Sequence, residues 1–219
     1  MAQVFHRAAN NVAKISIVTA VVLAGVAGFV YTQIARSNYL TGQYVEKQQP
    51  VQFSHKHHVG DDGIDCRYCH TAVETSSSAG MPPTQTCMNC HSQIWSDSPY
   101  LEPVRASYRD NKPIEWERVH DLPEYAYFNH SIHIAKGVGC STCHGQIDNM
   151  PAVWQENTLQ MEWCLQCHRE PEKYIRPKSE IYNLQWQDGD LTMEERLQLK
   201  ADYKIRNAQM LTSCSTCHR

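Results

Sequence analysis

Apolar and polar residues are spread unevenly along the chain. From Ile15 to Tyr31 almost every residue is apolar and none is charged. With flanks to about Ala35 this run is long enough for one bilayer-spanning helix. Arg7 and Lys14 precede it, so the positive-inside tendency predicts a cytoplasmic N-terminus and an external remainder. A cleaved signal peptide is the rival reading, because Gly25-Val-Ala27 supplies small residues; the Met1 start favours an uncleaved anchor. Ala20, Ala24 and Gly28 recur every four residues on one face, the small-residue spacing that lets membrane helices approach closely. This face is expected to meet a partner helix, although small residues are also simply common in such segments.

Beyond the anchor no long amphipathic period continues. Pro99 to Pro123 reads as a Pro- and charge-containing connector with limited regular structure. The clearest helical stretch runs from Thr192 to about Leu211, opened by a Thr192/Glu195 capping box, with Leu197, Ala201, Ile205 and Ala208 on one face. The expected organisation is an anchor over residues 1–36 and one soluble domain over 37–219. The expected fold is mainly α and irregular: one N-terminal transmembrane helix, then short helices and loops with little β.

Composition sharpens this picture. Only 9% of residues are aromatic, four of them Phe, and mean hydropathy is negative, so an apolar core would be thin for this length. Something other than side chains must fill the interior. A formal charge of −3 offers no basic surface for nucleic acid.

The ten cysteines supply the filler. All fall in Cys-x-x-Cys-His units: Cys66, Cys69 and His70; Cys87, Cys90 and His91; Cys140, Cys143 and His144; Cys164, Cys167 and His168; Cys214, Cys217 and His218. In a c-type haem site the two thiols form thioethers to the porphyrin, and the adjacent His binds the iron from the proximal side. Paired Cys-x-x-Cys units would also suit structural zinc, and ten cysteines could form disulfides. Neither requires His directly after each second Cys. With 12 His in 219 residues, five such successors by chance have a probability of about 10⁻⁶ or less. A thioredoxin-like dithiol would need a βαβ pattern that is not visible. Five covalent haem c groups with low-spin iron are expected to be wrapped by the short helices and loops, and without them the domain is not expected to fold.

The remaining histidines are placed with a pattern. Phe53-Ser-His55-Lys-His57-His58 precedes the first haem motif and Phe128-Asn-His130-Ser-Ile-His133 the third. At a spacing of three, both imidazoles leave one side of a helical turn and can reach two neighbouring irons. His55, His58, His130 and His133 are therefore the expected distal metal ligands. For the fifth iron the candidates are His120, Met150 and Met161, and a Met ligand would raise the potential. His57 breaks the pattern and reads as a hydrogen-bonding or exposed neighbour. His6 lies before the apolar run, and Met81 reads as packing against porphyrin, as Met150 also can. The supply of His and Met suffices for every iron, so no open substrate-binding iron is expected.

The histidine entry recurs at an offset of 75, Cys66 recurs at Cys140 and Cys87 at Cys164, giving two-haem modules at about 51–95 and 126–170. The helix and fifth motif occupy about 190–219. Arg219 follows the fifth motif directly, which suggests a surface haem where electrons enter or leave.

The Phe-x-His-x-x-His entry followed by Cys-x-x-Cys-His resembles class III multihaem cytochromes. Together with the anchor, Arg-Val-His-Asp-Leu-Pro around His120 and Trp-Cys-Leu-Gln-Cys-His-Arg around Cys164, the chain as a whole resembles the pentahaem cytochrome subunit of bacterial alternative complex III. That resemblance implies an electron-transfer subunit without its own catalytic site, inside a membrane quinol:acceptor oxidoreductase of the respiratory chain. Its implied partners are an iron–sulfur subunit of molybdopterin-oxidoreductase type, polytopic quinol-binding subunits, membrane lipid and a monohaem cytochrome c, other soluble carrier or terminal oxidase as acceptor. It places the chain in the cytoplasmic membrane with the haem domain on the periplasmic face, and mixes bis-His haems with one His/Met haem. The alternative is a self-contained, membrane-anchored multihaem quinol dehydrogenase feeding a periplasmic reductase. A haem-iron reductase of small oxyanions would need an open iron and a basic funnel.

Overall fold

The computed structural model describes residues 4–218, and these divide into two compact units after Gln43. In the first, α1 (Ala8–Ala35) is a 28-residue helix without a single buried residue. At about 1.5 Å per residue it is some 42 Å long, against a hydrocarbon core of about 30 Å. It is long and apolar enough to cross a membrane. Ile15, Val18, Val22 and Phe29 are all more than half exposed, an arrangement stable for such side chains in lipid but costly in water. A short helix, α2 (Asn38–Thr41), follows and stops at Gly42, whose φ of 69° closes the turn.

The second unit is helical and irregular, with no strand among the described residues beyond two isolated antiparallel bridges, Ala126 with His218 and Val138 with Ile175. Its helices are α3 (Cys66–Cys69), α4 (Thr84–His91), α5 (Glu102–Asp110), α6 (His130–Ala135), α7 (Cys140–His144), α8 (Met161–Arg169), α9 (Met193–Asp202), α10 (Ala208–Leu211) and α11 (Cys214–Cys217). Most are too short to persist alone in water. Tertiary packing must hold them, yet apolar packing is scarce. Met150 and Ile175 are the largest side chains sealed from solvent, at 1% and 2% exposure. Polar groups do much of the fastening instead. The buried Arg176 guanidinium donates to Ser141 Oγ at 3.2 Å, Thr142 Oγ1 at 3.1 Å and the Asn183 carbonyl at 3.3 Å, tying α7 to the chain beyond α8. Buried Arg196 of α9 donates to the Lys173 carbonyl at 2.9 Å.

Two expectations are corrected. The 99–123 connector is not irregular throughout. Pro99–Leu101 forms one 3₁₀ turn and α5 follows with Pro103 in its first turn, where a missing N–H costs nothing. Val104 and Ser107 are buried on this helix, and Ser107 Oγ meets Thr84 Oγ1 of α4 at 2.6 Å. The helix expected from Thr192 to Leu211 is in fact two. Its capping box forms, with Glu195 N–H donating to Thr192 Oγ1 and Thr192 N–H to Glu195 Oε2, but Lys204 at φ 51° turns the chain out of the helix, and Asn207 restarts it by capping Met210. Its inward side carries Arg196, while Leu197 is half exposed, because α9 lies on the polar turn at Pro171–Lys173, where Lys200 pairs with Glu172 at 2.6 Å.

Candidate functional site

The two Phe-x-His-x-x-His entries fold alike. His55 begins the widened helical turn Lys56–Asp61, and His130 opens α6 behind an Asn129 side-chain cap. In both, the Phe ring lies edge-on to the first His and face-on to the second: Phe53 at 4.9 Å from His55 and 4.5 Å from His58, Phe128 at 4.7 Å from His130 and 4.4 Å from His133. The aromatic thus sets the angle between two imidazoles one turn apart.

Each of these imidazoles faces a motif histidine. Ring centroids are 6.5 Å apart for His55 and His70, 6.1 Å for His58 and His91, 6.4 Å for His130 and His144, and 6.2 Å for His133 and His168. With metal–nitrogen bonds of about 2.0 Å, an imidazole–metal–imidazole axis separates centroids by about 6.3 Å. The residues therefore fit a six-coordinate haem iron between each pair. Direct ring stacking would bring them closer.

The other ring nitrogens are mostly held by backbone carbonyls. Among motif histidines, Nδ1 lies 2.8 Å from Gly80 O in His70, 3.0 Å from Ile94 O in His91, 3.0 Å from Leu211 O in His168 and 3.0 Å from Tyr125 O in His218. His58 uses Ser54 O, His130 uses Ser77 O and His133 uses Asn129 O. Such a bond fixes the tautomer with Nδ1–H donating and leaves Nε2 free for a metal. Burial, with some repulsion from neighbouring histidines, holds His144 neutral down to about 3 and His55 down to about 4. Burial also lowers His133, opposed by its bond to Asn129. These rings are available as neutral nitrogen ligands.

Thiols of neighbouring motifs lie close to one another. Those of Cys66 and Cys140 are hydrogen-bond partners, which pulls Cys66 down to about 7 and pushes Cys140 up. Cys87 lies within electrostatic reach of Cys69, Cys143 of Cys167 and Cys164, and Cys217 of Cys164. Read along these neighbours, the motifs follow one another in the order second, first, third, fourth, fifth. Cys90 and Cys214, in the two end motifs, are the exposed cysteines. Burial keeps Cys143 and Cys167 as thiols, raising them to about 12 and about 11.

These observations coincide with the family comparison. A family model described as cytochrome c7 and related cytochrome c matches residues 51–100 and 126–219. The chain is a multihaem c-type cytochrome. The match skips 101–125, the connector carrying α5. The chain is also similar to the multihaem cytochrome c subunit of menaquinone reductase from Nitratidesulfovibrio vulgaris strain Hildenborough, at 30% identity over 57% of this chain and 70% of the relative. Haem bound as in this family supplies a one-electron carrier.

The three candidates for the remaining axial position lie apart from one another in environment. His120 packs against His144, with ring centroids 4.4 Å apart. Met150 is sealed, its carbonyl accepting from Lys56 N–H. Met161 opens α8 and is 63% exposed. His218 has Tyr125 as its ring neighbour, at 5.9 Å. His57 is exposed and faces Asp61 and Asp62, and Met81 is exposed. Arg219 lies outside the described residues. Sequence reasoning missed the carbonyl partners of the histidines and the role of Arg176 behind the third motif. The carbonyls leave no side-chain signal.

Proposed function

We propose that this cytochrome is the pentahaem electron-relay subunit of a membrane quinol:acceptor oxidoreductase of the alternative complex III type. The observation that carries the reading is the set of four imidazole pairs spaced for an iron, two at each Phe-x-His-x-x-His entry, with His168 of the fourth motif bonded to the Leu211 carbonyl just before the fifth. Several closely set one-electron carriers suit transfer between partners. In this reading each Cys pair holds one haem by thioethers, and His70, His91, His144, His168 and His218 are the proximal ligands. His55, His58, His130 and His133 complete the first four irons. Met161 is assigned to the fifth, since it begins α8, the helix packed on α10, which leads into the fifth motif. Residues 1–36 anchor the protein in the cytoplasmic membrane with its haem domain on the periplasmic face. The small-residue face of α1 meets a helix of a polytopic quinol-binding partner. An iron–sulfur subunit would pass electrons in, and a monohaem cytochrome c or terminal oxidase would take them out.

The name of the bacterial relative, a menaquinone reductase subunit, supports membership of a quinone-linked complex and supplies a second reading with the same parts, in which electrons run toward menaquinone. Purification of the tagged chain from its membranes in mild detergent tests the subunit role. Recovery with a large iron–sulfur subunit and polytopic subunits is expected. Recovery alone, with quinol oxidation retained, would establish the self-contained dehydrogenase instead.

A further inference from the structure

Two haem motifs share one pentapeptide, Cys-Ser-Thr-Cys-His, at Cys140–His144 and at Cys214–His218, yet their surroundings differ. In the fifth motif Cys214 is exposed and Thr216 Oγ1 donates to the Met210 carbonyl at 2.9 Å. In the third, both hydroxyls meet a guanidinium: Arg176, 4% exposed, donates to Ser141 Oγ at 3.2 Å and to Thr142 Oγ1 at 3.1 Å. The chain makes room for it, since a Cβ on Gly139, the residue before Cys140, would fall on the guanidinium group. The Trp186 ring lies 5.7 Å from the guanidinium carbon. The charge reaches both attachment thiols of this motif: the bond to Cys66 raises Cys140 and burial raises Cys143, and Arg176 opposes both shifts. The first motif also carries an arginine, but Arg67 is half exposed and pairs with Asp65 at 2.8 Å, where solvent and the carboxylate screen its charge.

We infer that Arg176 sets the potential of the third haem, as a buried fixed cation held against the stretch of chain to which that haem's thioethers are made. The inference rests on the haem reading above and concerns the third haem alone. Reduction adds one electron to the haem, so a cation beside it in a medium of low dielectric favours the reduced state. A guanidinium stays protonated, and its hydrogen bonds to Ser141 and Thr142 fix where the charge stands. Arg176 therefore raises the potential of this haem relative to the same site without it.

The test uses the full-length protein purified in its membrane complex, comparing wild type with Arg176→Met and Arg176→Lys. Mass spectrometry counts the covalent haems, redox-poised spectra give potentials, and electron paramagnetic resonance gives the low-spin signature of each haem. His130→Ala, which takes the distal ligand from the third iron, marks the signal that belongs to it. Arg176→Met is expected to keep every haem and every low-spin signature, and to shift the third haem's oxidised-to-reduced ratio about tenfold toward oxidised at fixed ambient potential, about 59 mV for one electron. Arg176→Lys, which keeps the charge, is expected to recover most of that shift. Should the Met variant fail to mature, Ser141→Asp sets a carboxylate beside the guanidinium and is expected to move the same haem in the same direction, with Ser141→Asn as its uncharged control. Unchanged potentials in Arg176→Met, or in Ser141→Asp against Ser141→Asn, would overturn the inference. Equal shifts in the Met and Lys variants would assign the effect to packing rather than charge and also overturn it. A wild-type chain carrying no haem on Cys140 and Cys143 would instead defeat the haem reading itself.

Discussion

Gly137 links α6 to the third motif, and replacing it with Ala separates two kinds of cost. Its φ is 81°, and an added Cβ would lie 2.6 Å from the Tyr203 ring and 2.7 Å from the Arg176 carbonyl. That carbonyl cannot retreat freely, because Arg176 N–H itself donates to the Gly137 carbonyl at 2.9 Å beside the Val138–Ile175 bridge. The left-handed conformation costs about 1–2 kcal/mol for a residue with a Cβ, and overpacking adds about 1–3 kcal/mol. Gly63 is the internal control, since its φ is 69° but nothing lies within 4 Å of its would-be Cβ, so Gly63→Ala should carry only the first term. With a urea dependence of about 1–3 kcal/mol per molar, Gly137→Ala should unfold at a midpoint lower than Gly63→Ala by roughly 0.5–1 M. The assay is urea titration of the full-length haem-loaded protein in detergent, followed by loss of low-spin absorption. Equal midpoints for the two variants would refute the close packing at Gly137.

Other consequences can be measured directly. His133→Ala should leave the covalent haem count unchanged in the intact mass and convert one haem from six-coordinate low-spin to five-coordinate high-spin; an unchanged spectrum would break the His133–His168 pairing. Met161→Leu should lower the highest haem potential, since on the proposed assignment it replaces a Met ligand, whereas Met150→Leu should leave that potential in place; the reverse result would transfer the fifth iron to Met150. Thr192→Ala should remove the α9 capping box and cost about 1 kcal/mol in thermal or urea unfolding, with no change in any haem spectrum.

What could be read in the sequence follows from where chemistry forces residues to be adjacent. Thioether attachment demands a fixed Cys-x-x-Cys-His run, so the haem motifs stand out by spacing alone. The paired imidazoles at His55, His58, His130 and His133 were legible as a pattern, because each pair sits one turn apart beside Phe53 or Phe128. Which His faces which was not legible, since His130 and His144 meet only through the fold. The connector's Pro and charge content hid α5, because Pro103 in the first turn of that helix is harmless. The continuous C-terminal helix misled because its periodicity ran through Lys204, whose left-handed conformation no residue type announces. Arg176 and Arg196 were passed over because charged residues are rarely buried, and here they replace part of a missing apolar core.

The most direct test of the relay is to mix purified complex and purified isolated chain, in separate experiments, with menaquinol and follow haem reduction by stopped-flow absorbance. The account predicts rapid reduction of the haems in the complex and none in the isolated chain, with the signal lost when the quinol-binding partners are removed. Haem reduction by menaquinol in the isolated chain at the rate seen in the complex would contradict it.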